Sequence, residues 1–242
     1  GSQISDRQIL RVQISLVELN READPLQSHQ EQLEELAQRA EDLGFDDVAL
    51  LSRYTSIRKQ FMGSADSLEA EEDAQAFFKP LIEQTQTLID EQTSAGYLYE
   101  VSDSLLTLST IQNRSSQFAA SLQTLERALT IEETLRRPAR MMAAHANLAY
   151  LKVAWNEVEP DVSGERLKEA EGHVAQVRDL ADREGLTSRE YFNWYILALI
   201  ENQRENTALS CSHLEKALPA WSKNYMTGLD PEKLADELNC AF

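Results

Sequence analysis

The sequence predicts an all-α protein built as a row of antiparallel helix hairpins, and three observations carry that expectation. Only 8 Gly and 6 Pro occur in 242 residues, between long runs of the strong helix formers Ala, Leu, Glu and Gln. Apolar residues recur three and four positions apart along most of the chain, which puts them on one stripe of a helix. One pattern is also repeated. Ser121, Leu125 and Ala128 in SLQTLERAL return as Ser210, Leu214 and Ala217 in SCSHLEKAL, 89 positions on, and Leu108-Ser109 returns as Leu197-Ala198 at the same shift.

Taken in order, the first helix spans 5–20, with Ile9, Leu10, Ile14 and Val17 apolar, Ser5 or Asp6 as N-cap, and Pro25 in READP as the stop. The second runs from about 27 to 43 and ends at Gly44; the third, 45–62, opens on an Asp-rich first turn and ends at Gly63. Residues 63–74 read as an acidic loop grading into a helix that continues to about 93, with a kink or late start expected at Pro80. Helices 97–112 and 115–135 follow. Pro138 is placed as the first-turn proline of 138–155. A polar connection over 156–164 leads into 165–184, stopped by Gly185. Ser188 is expected to cap 189–203, Asn206 or Thr207 to start 207–222, and Asp230-Pro231 to open a last helix over 231–240.

Eleven helices with short turns pair as hairpins. The expected arrangement is a single α-solenoid domain over 3–242, with hairpins at roughly 5–43, 45–93, 97–135, 138–184 and 189–222 and a C-terminal capping helix at 231–240. Gly1-Ser2 reads as the remnant of a tag, so the chain is expected to be a piece of a larger protein.

The spacing of small and large residues resembles the tetratricopeptide repeat family, in a long-repeat form. First-helix patterns are Leu105, Leu108, Ser109; His145, Leu148, Ala149; and Trp194, Leu197, Ala198. Second-helix patterns are Ser121, Leu125, Ala128; Ala170, Val174, Val177; and Ser210, Leu214, Ala217. Val48, Leu51 and Ser52 match in the N-terminal part, whereas 64–93 departs from the pattern. Small residues let helices approach and large ones fill the gap beside them. The resemblance implies a right-handed α-solenoid of about five antiparallel hairpins plus the cap, and a concave groove lined by first helices.

Composition removes several functions. Against 41 Asp+Glu stand 23 Lys+Arg, a net charge of −18, which repels phosphate backbones and anionic lipid, so no direct nucleic-acid binding is expected. Acidity peaks over 64–103, where Lys79 is the lone base, and a basic partner could dock there. No run of about 18 apolar residues exists, so no membrane insertion is expected. Cys211 and Cys240 do not make a disulfide framework, and free thiols in a reducing, cytoplasmic compartment are the simpler expectation.

Catalytic chemistry finds little support. There is no glycine-rich phosphate loop, nucleophile elbow or zinc motif, and no cofactor is expected. Cys211 and His213 are two apart on a helix and face different ways, which argues against a shared metal. His145 sits at a packing position, and His29 and His173 fall on polar faces. The run Asp66, Glu69, Glu71, Glu72, Asp73 lacks the ligand alternation and glycine of a calcium loop. The chain is therefore expected not to be an enzyme.

What remains is a binding role. The resemblance places Asp46, Ala49 and Arg53, Leu106 and Thr110, Ala143, Ala146 and Tyr150, and Phe192, Tyr195 and Leu199 toward the groove. Tyr150, Phe192, Tyr195 and Leu199, if exposed, would offer an apolar patch to a peptide's anchors or an amphipathic helix, unless the last helices cover them. Asn147 and Asn202 could hydrogen-bond an extended backbone. Leu106, Ala146 and Tyr195 stand where a carboxylate-clamping lysine would be needed, which disfavours C-terminal-tail ligands. The first expectation is a non-enzymatic protein- or peptide-binding module whose partner carries a basic or amphipathic segment. The alternative is a regulatory sensor domain of a larger transcription or signalling protein that binds a small effector.

Overall fold

The computed structural model describes residues 2–19, 26–64, 71–186, 190–221 and 229–241. The expected stop at Pro25, the cap at Ser188, and Asp66 and Glu69 of the acidic run lie outside those residues. Among the described residues the chain is all-helical, with eleven α-helices, one 3₁₀ turn and no strand. The helices are α1 Ser2–Leu19, α2 Leu26–Asp42, α3 Asp46–Ser64, α4 Glu71–Ser94, α5 Leu98–Arg114, α6 Phe118–Leu135, α7 Pro138–Val158, α8 Glu165–Glu184, α9 Glu190–Gln203, α10 Thr207–Ala217 and α11 Pro231–Glu237.

The chain divides into two compact units, Gly1–Ile111 and Gln112–Phe242. In the first, Leu10 and Ile14 of α1, Leu33 and Ala40 of α2, and Val48 and Ala49 of α3 form one cluster. Leu50, Ile57 and Phe61 of α3 form another with Phe78, Leu81 and Leu88 of α4. In the second unit a larger core joins Met142, Ala146, Ala149 and Val153 of α7, Leu167, Ala170, Val174 and Val177 of α8, Phe192, Tyr195 and Ile196 of α9, Leu214 and Ala217 of α10, and Leu234 and Ala235 of α11. Helices such as α8 give one stripe, Leu167, Ala170, Val174, Val177 and Leu180, to their neighbours, whereas α7 is buried on most of its faces between Met142 and Val153.

The repeated small–large–small positions are among the most buried in the chain. Ser121, Leu125 and Ala128, and their counterparts Ser210, Leu214 and Ala217, are each 0–1% exposed. The serines do more than make room. Ser210 Oγ donates to the Ala198 carbonyl of α9 at 2.9 Å, and Ser52 Oγ of α3 donates to the Leu33 carbonyl of α2 at 2.7 Å.

Turns follow local chemistry. Gly44 closes α2 with φ of 72°, and the next amide, Phe45, donates to the Ala40 carbonyl at 2.8 Å. Arg136 makes the same left-handed turn after α6 without a glycine, φ 53°, and Arg137 N reaches the Glu132 carbonyl at 3.1 Å. Between α7 and α8, Asp161 organises the connection. Its carboxylate accepts from the Ser163 amide and hydroxyl at 3.0 and 2.7 Å and from the Arg166 amide at 3.0 Å. Those donors, the Ser163 hydroxyl first, hold its pKa down to about 2.

Several expectations are corrected. Ser5 and Asp6 lie inside α1, which starts at Ser2. Pro80 neither delays nor ends α4, which runs from Glu71 through it. Pro80 is exposed, as is Ala76, whose carbonyl loses its donor, so water can satisfy that group. Helix α7 extends to Val158, and α10 ends at Ala217, where Pro219 tightens the chain into a 3₁₀ turn, Leu218–Ala220. His29 is buried, 4% exposed, and not on a polar face. The cysteines are not free: Cys211 and Cys240 form a disulfide, because the segment after α11 folds back beside α10.

Candidate binding site

The first unit contains a cleft of about 680 Å³ built by α2, α3 and α4. Its apolar lining comes from Leu33 and Ala37 of α2, Ile57 of α3 and Leu88 of α4, whose inward stripes also make the unit's core. The rest is polar. Gln30, Gln38, Gln60 and Gln84 supply amides, and Glu34 and Glu41 of α2 face in with Glu83 and Glu91 of α4. Positions 30, 34, 37, 38 and 41 form one helical stripe, as do 80, 83, 84, 87, 88 and 91, so regular helix geometry aims both sets at one space.

Arg53 is the one cation of this lining. Its Nη1 donates to Glu91 Oε2 at 2.7 Å, and its Nη2 is bonded to Glu41. One guanidinium thus ties α2 to α4 through α3. Four carboxylates against one guanidinium leave the cleft strongly negative, with Glu34 and Glu83 on its exposed rim. Its side chains can accept many hydrogen bonds and attract positive charge. Nothing in the set pairs a nucleophile with a base.

The other nominated residues are placed differently. Thr110 is half-buried and spends its hydroxyl on the Leu106 carbonyl at 2.9 Å. Leu106, Ala143 and Ala146 are at most 8% exposed and face helix contacts. Phe192 and Tyr195 belong to the core of the second unit at 1% and 5% exposure, so neither offers surface. Tyr150 packs on Phe192, rings 6.1 Å apart, and Leu199 is partly buried against the same core. Asn147 and Asn202 remain partly accessible.

Burial accounts for the tyrosines' electrostatics. It is the main cause raising the pKa of Tyr150, and also that of Tyr195, where Tyr150, Asp230, Glu157 and Glu237 add to it. Trp221 covers the end of α9: its ring lies 5.0 Å from Tyr195 and 5.6 Å, edge-on, from Tyr191. Trp194 is covered by cations of its own chain, Arg178 at 4.2 Å and Lys216 at 4.3 Å from the ring centre, with His213 stacked on it at 5.4 Å.

Between α7 and α8, His145 Nδ1 and His173 Nδ1 are 3.1 Å apart, one donating and one accepting. Burial lowers both imidazoles, His173 to about 4 with help from the charges of His145 and Lys152. Among the described residues no group of three or more His, Cys, Asp or Glu could hold a metal ion, and no helix is long and apolar enough to cross a membrane.

Sequence reasoning found Arg53 and missed the cleft around it. The missed signal is the stripe Gln30, Glu34, Gln38, Glu41, which is readable on α2, although its facing partners on α4 lie about fifty residues away. Comparison with known proteins supplies no family: no protein-family model matches the chain, and no curated protein matches it.

Proposed function

We propose that this chain is a non-enzymatic protein- or peptide-binding module, a tetratricopeptide-like right-handed α-solenoid that grips a basic, amphipathic segment. The observation that carries the reading is the cleft of α2, α3 and α4, with its acidic walls around Arg53. Lysines or arginines of such a segment meet Glu34 and Glu83, while its apolar side chains face away from the acidic walls. Complementary charge speeds encounter and selects the partner. The net charge of −18 works in the same direction and disfavours nucleic acid.

The cleft volume also lies within the range of small-molecule pockets, which keeps the effector-sensing alternative as a second reading. The two separate in one experiment. Basic amphipathic peptides are titrated by fluorescence anisotropy against the wild type, Glu34→Gln and Glu83→Gln, with exposed Glu126→Gln as a control. A groove for basic peptides predicts weaker binding in the first two variants, no change in the third, and affinity that falls with salt. Equal affinity in all four proteins would remove it. A thermal-shift response to a small cation or neutral effector, with no peptide binding, would favour the sensor.

A further inference from the structure

We infer that the Cys211–Cys240 disulfide is a redox latch that holds the cap helix α11 over the aromatic end of α9, and that its reduction releases the cap. The chain has only two cysteines, and they pair with each other across 29 positions. The bond does not cross-link two large elements. It fastens the tail of a seven-residue helix to the middle of α10.

A helix of that length has little stability of its own, since nucleation costs more than so few backbone bonds return. Its order must come from what holds it down. Pro231, Leu234 and Ala235 are its buried residues, and Leu238 packs partly against the same core. Asp230 caps its start, accepting from the Lys233 amide at 3.0 Å. This is a small apolar footprint, and the disulfide adds a covalent tether that keeps it at high effective concentration beside α10.

What lies beneath gives the tether a consequence. Tyr191, Tyr195 and Trp221 interlock at the end of α9, and Asp230 and Glu237 stand close enough to act on the Tyr195 hydroxyl. Trp221 Nε1 is buried there without a hydrogen-bond partner among the described residues. Trp221 packs against the core that Leu234 and Ala235 complete, so release of α11 would loosen its surroundings. Both sulfurs belong to residues that are only partly buried, so a reductant can reach them.

The chemistry is ordinary thiol–disulfide exchange. A dithiol reductant attacks one sulfur, the S–S bond breaks, and a mixed disulfide forms. The reductant's second thiolate then displaces the protein sulfur. The reductant ends as its own disulfide, and Cys211 and Cys240 each leave with a proton as thiols. The closed state returns with any two-electron thiol oxidant.

The test is hydrogen–deuterium exchange on the intact chain, with and without a phosphine or dithiol reductant, beside Cys240→Ser. Reduction should speed exchange of the 232–240 amides at least tenfold, leave α7 and α8 protected, and shift Trp221 emission to the red. Cys240→Ser should exchange fast in both conditions. Unchanged exchange of 232–240 on reduction of the wild type would overturn the latch, as would thiol titration finding two free cysteines before reduction. Should Cys240→Ser fail to fold, the comparison of oxidised and reduced wild type decides the matter alone.

Discussion

Replacing Arg137 by methionine should cost the second unit about 3–4 kcal/mol at pH 7. Glu132, in the last turn of α6, is 0% exposed. Its Oε2 accepts from Arg137 Nε at 2.6 Å and its Oε1 from Nη2, a fork that spans the turn into α7. Methionine keeps the stem's packing and deletes the guanidinium, removing both of these bonds to a fully buried carboxylate. Breaking a buried pair from one side costs about 3–5 kcal/mol, which sets the scale here.

The same reasoning predicts that Glu132→Leu combined with Arg137→Met is less harmful than Arg137→Met alone, because both partners of the buried pair are then removed. Urea denaturation followed by tryptophan emission is the assay, and it is selective, since Trp155, Trp194 and Trp221 all lie in the second unit. A cost under about 1 kcal/mol for Arg137→Met at pH 7, or a double variant as weak as the sum of the singles, would refute the argument.

Three further outcomes are expected. Folded-state imidazoles at His145 and His173 titrate below their ordinary range, so between pH about 6.5 and about 4 the unfolded chain binds more protons than the folded one. Stability should therefore be complete above pH 6.5 and decline as pH falls through that window, and pH-dependent urea midpoints of His173→Asn should show a shallower decline. Leu125→Ala and Leu214→Ala, at 1% and 0% exposure, should each cost about 3 kcal/mol by the same assay, against less than about 1 for Leu209→Ala at 40% exposure. Arg136→Gly should raise the thermal midpoint, adding about 0.5 kcal/mol, because it relieves a left-handed turn at φ 53° while paying the entropy of a freer unfolded chain.

Local pattern made the helices legible. Periodicity and stop residues located α2, α8 and their neighbours because those signals act within a few residues: Gly44 and Gly185 end helices through their own backbone freedom. Where the outcome depended on distant chain, sequence reasoning lacked the means. Phe192 and Tyr195 have the spacing of surface anchors, yet their burial depends on packing within the second unit, including Trp221 and α11. No local mark tells Cys211 that Cys240 will return to it. The binding cleft lies between these cases. Its walls are readable stripes, but their meeting around Arg53 is a fact of tertiary structure.

The serines at the small positions have a last consequence. An alanine at position 52 or 210 would let two helices lie as close, but it would leave them free to slide by a fraction of a turn. A hydroxyl bonded to one particular carbonyl, Leu33 or Ala198, removes that freedom. Packing alone sets how near two helices lie; a single oxygen sets which residue meets which. Substituting these serines should therefore blur alignment before it loosens contact, and the errors would be passed on to whatever geometry the neighbouring helices present to a partner.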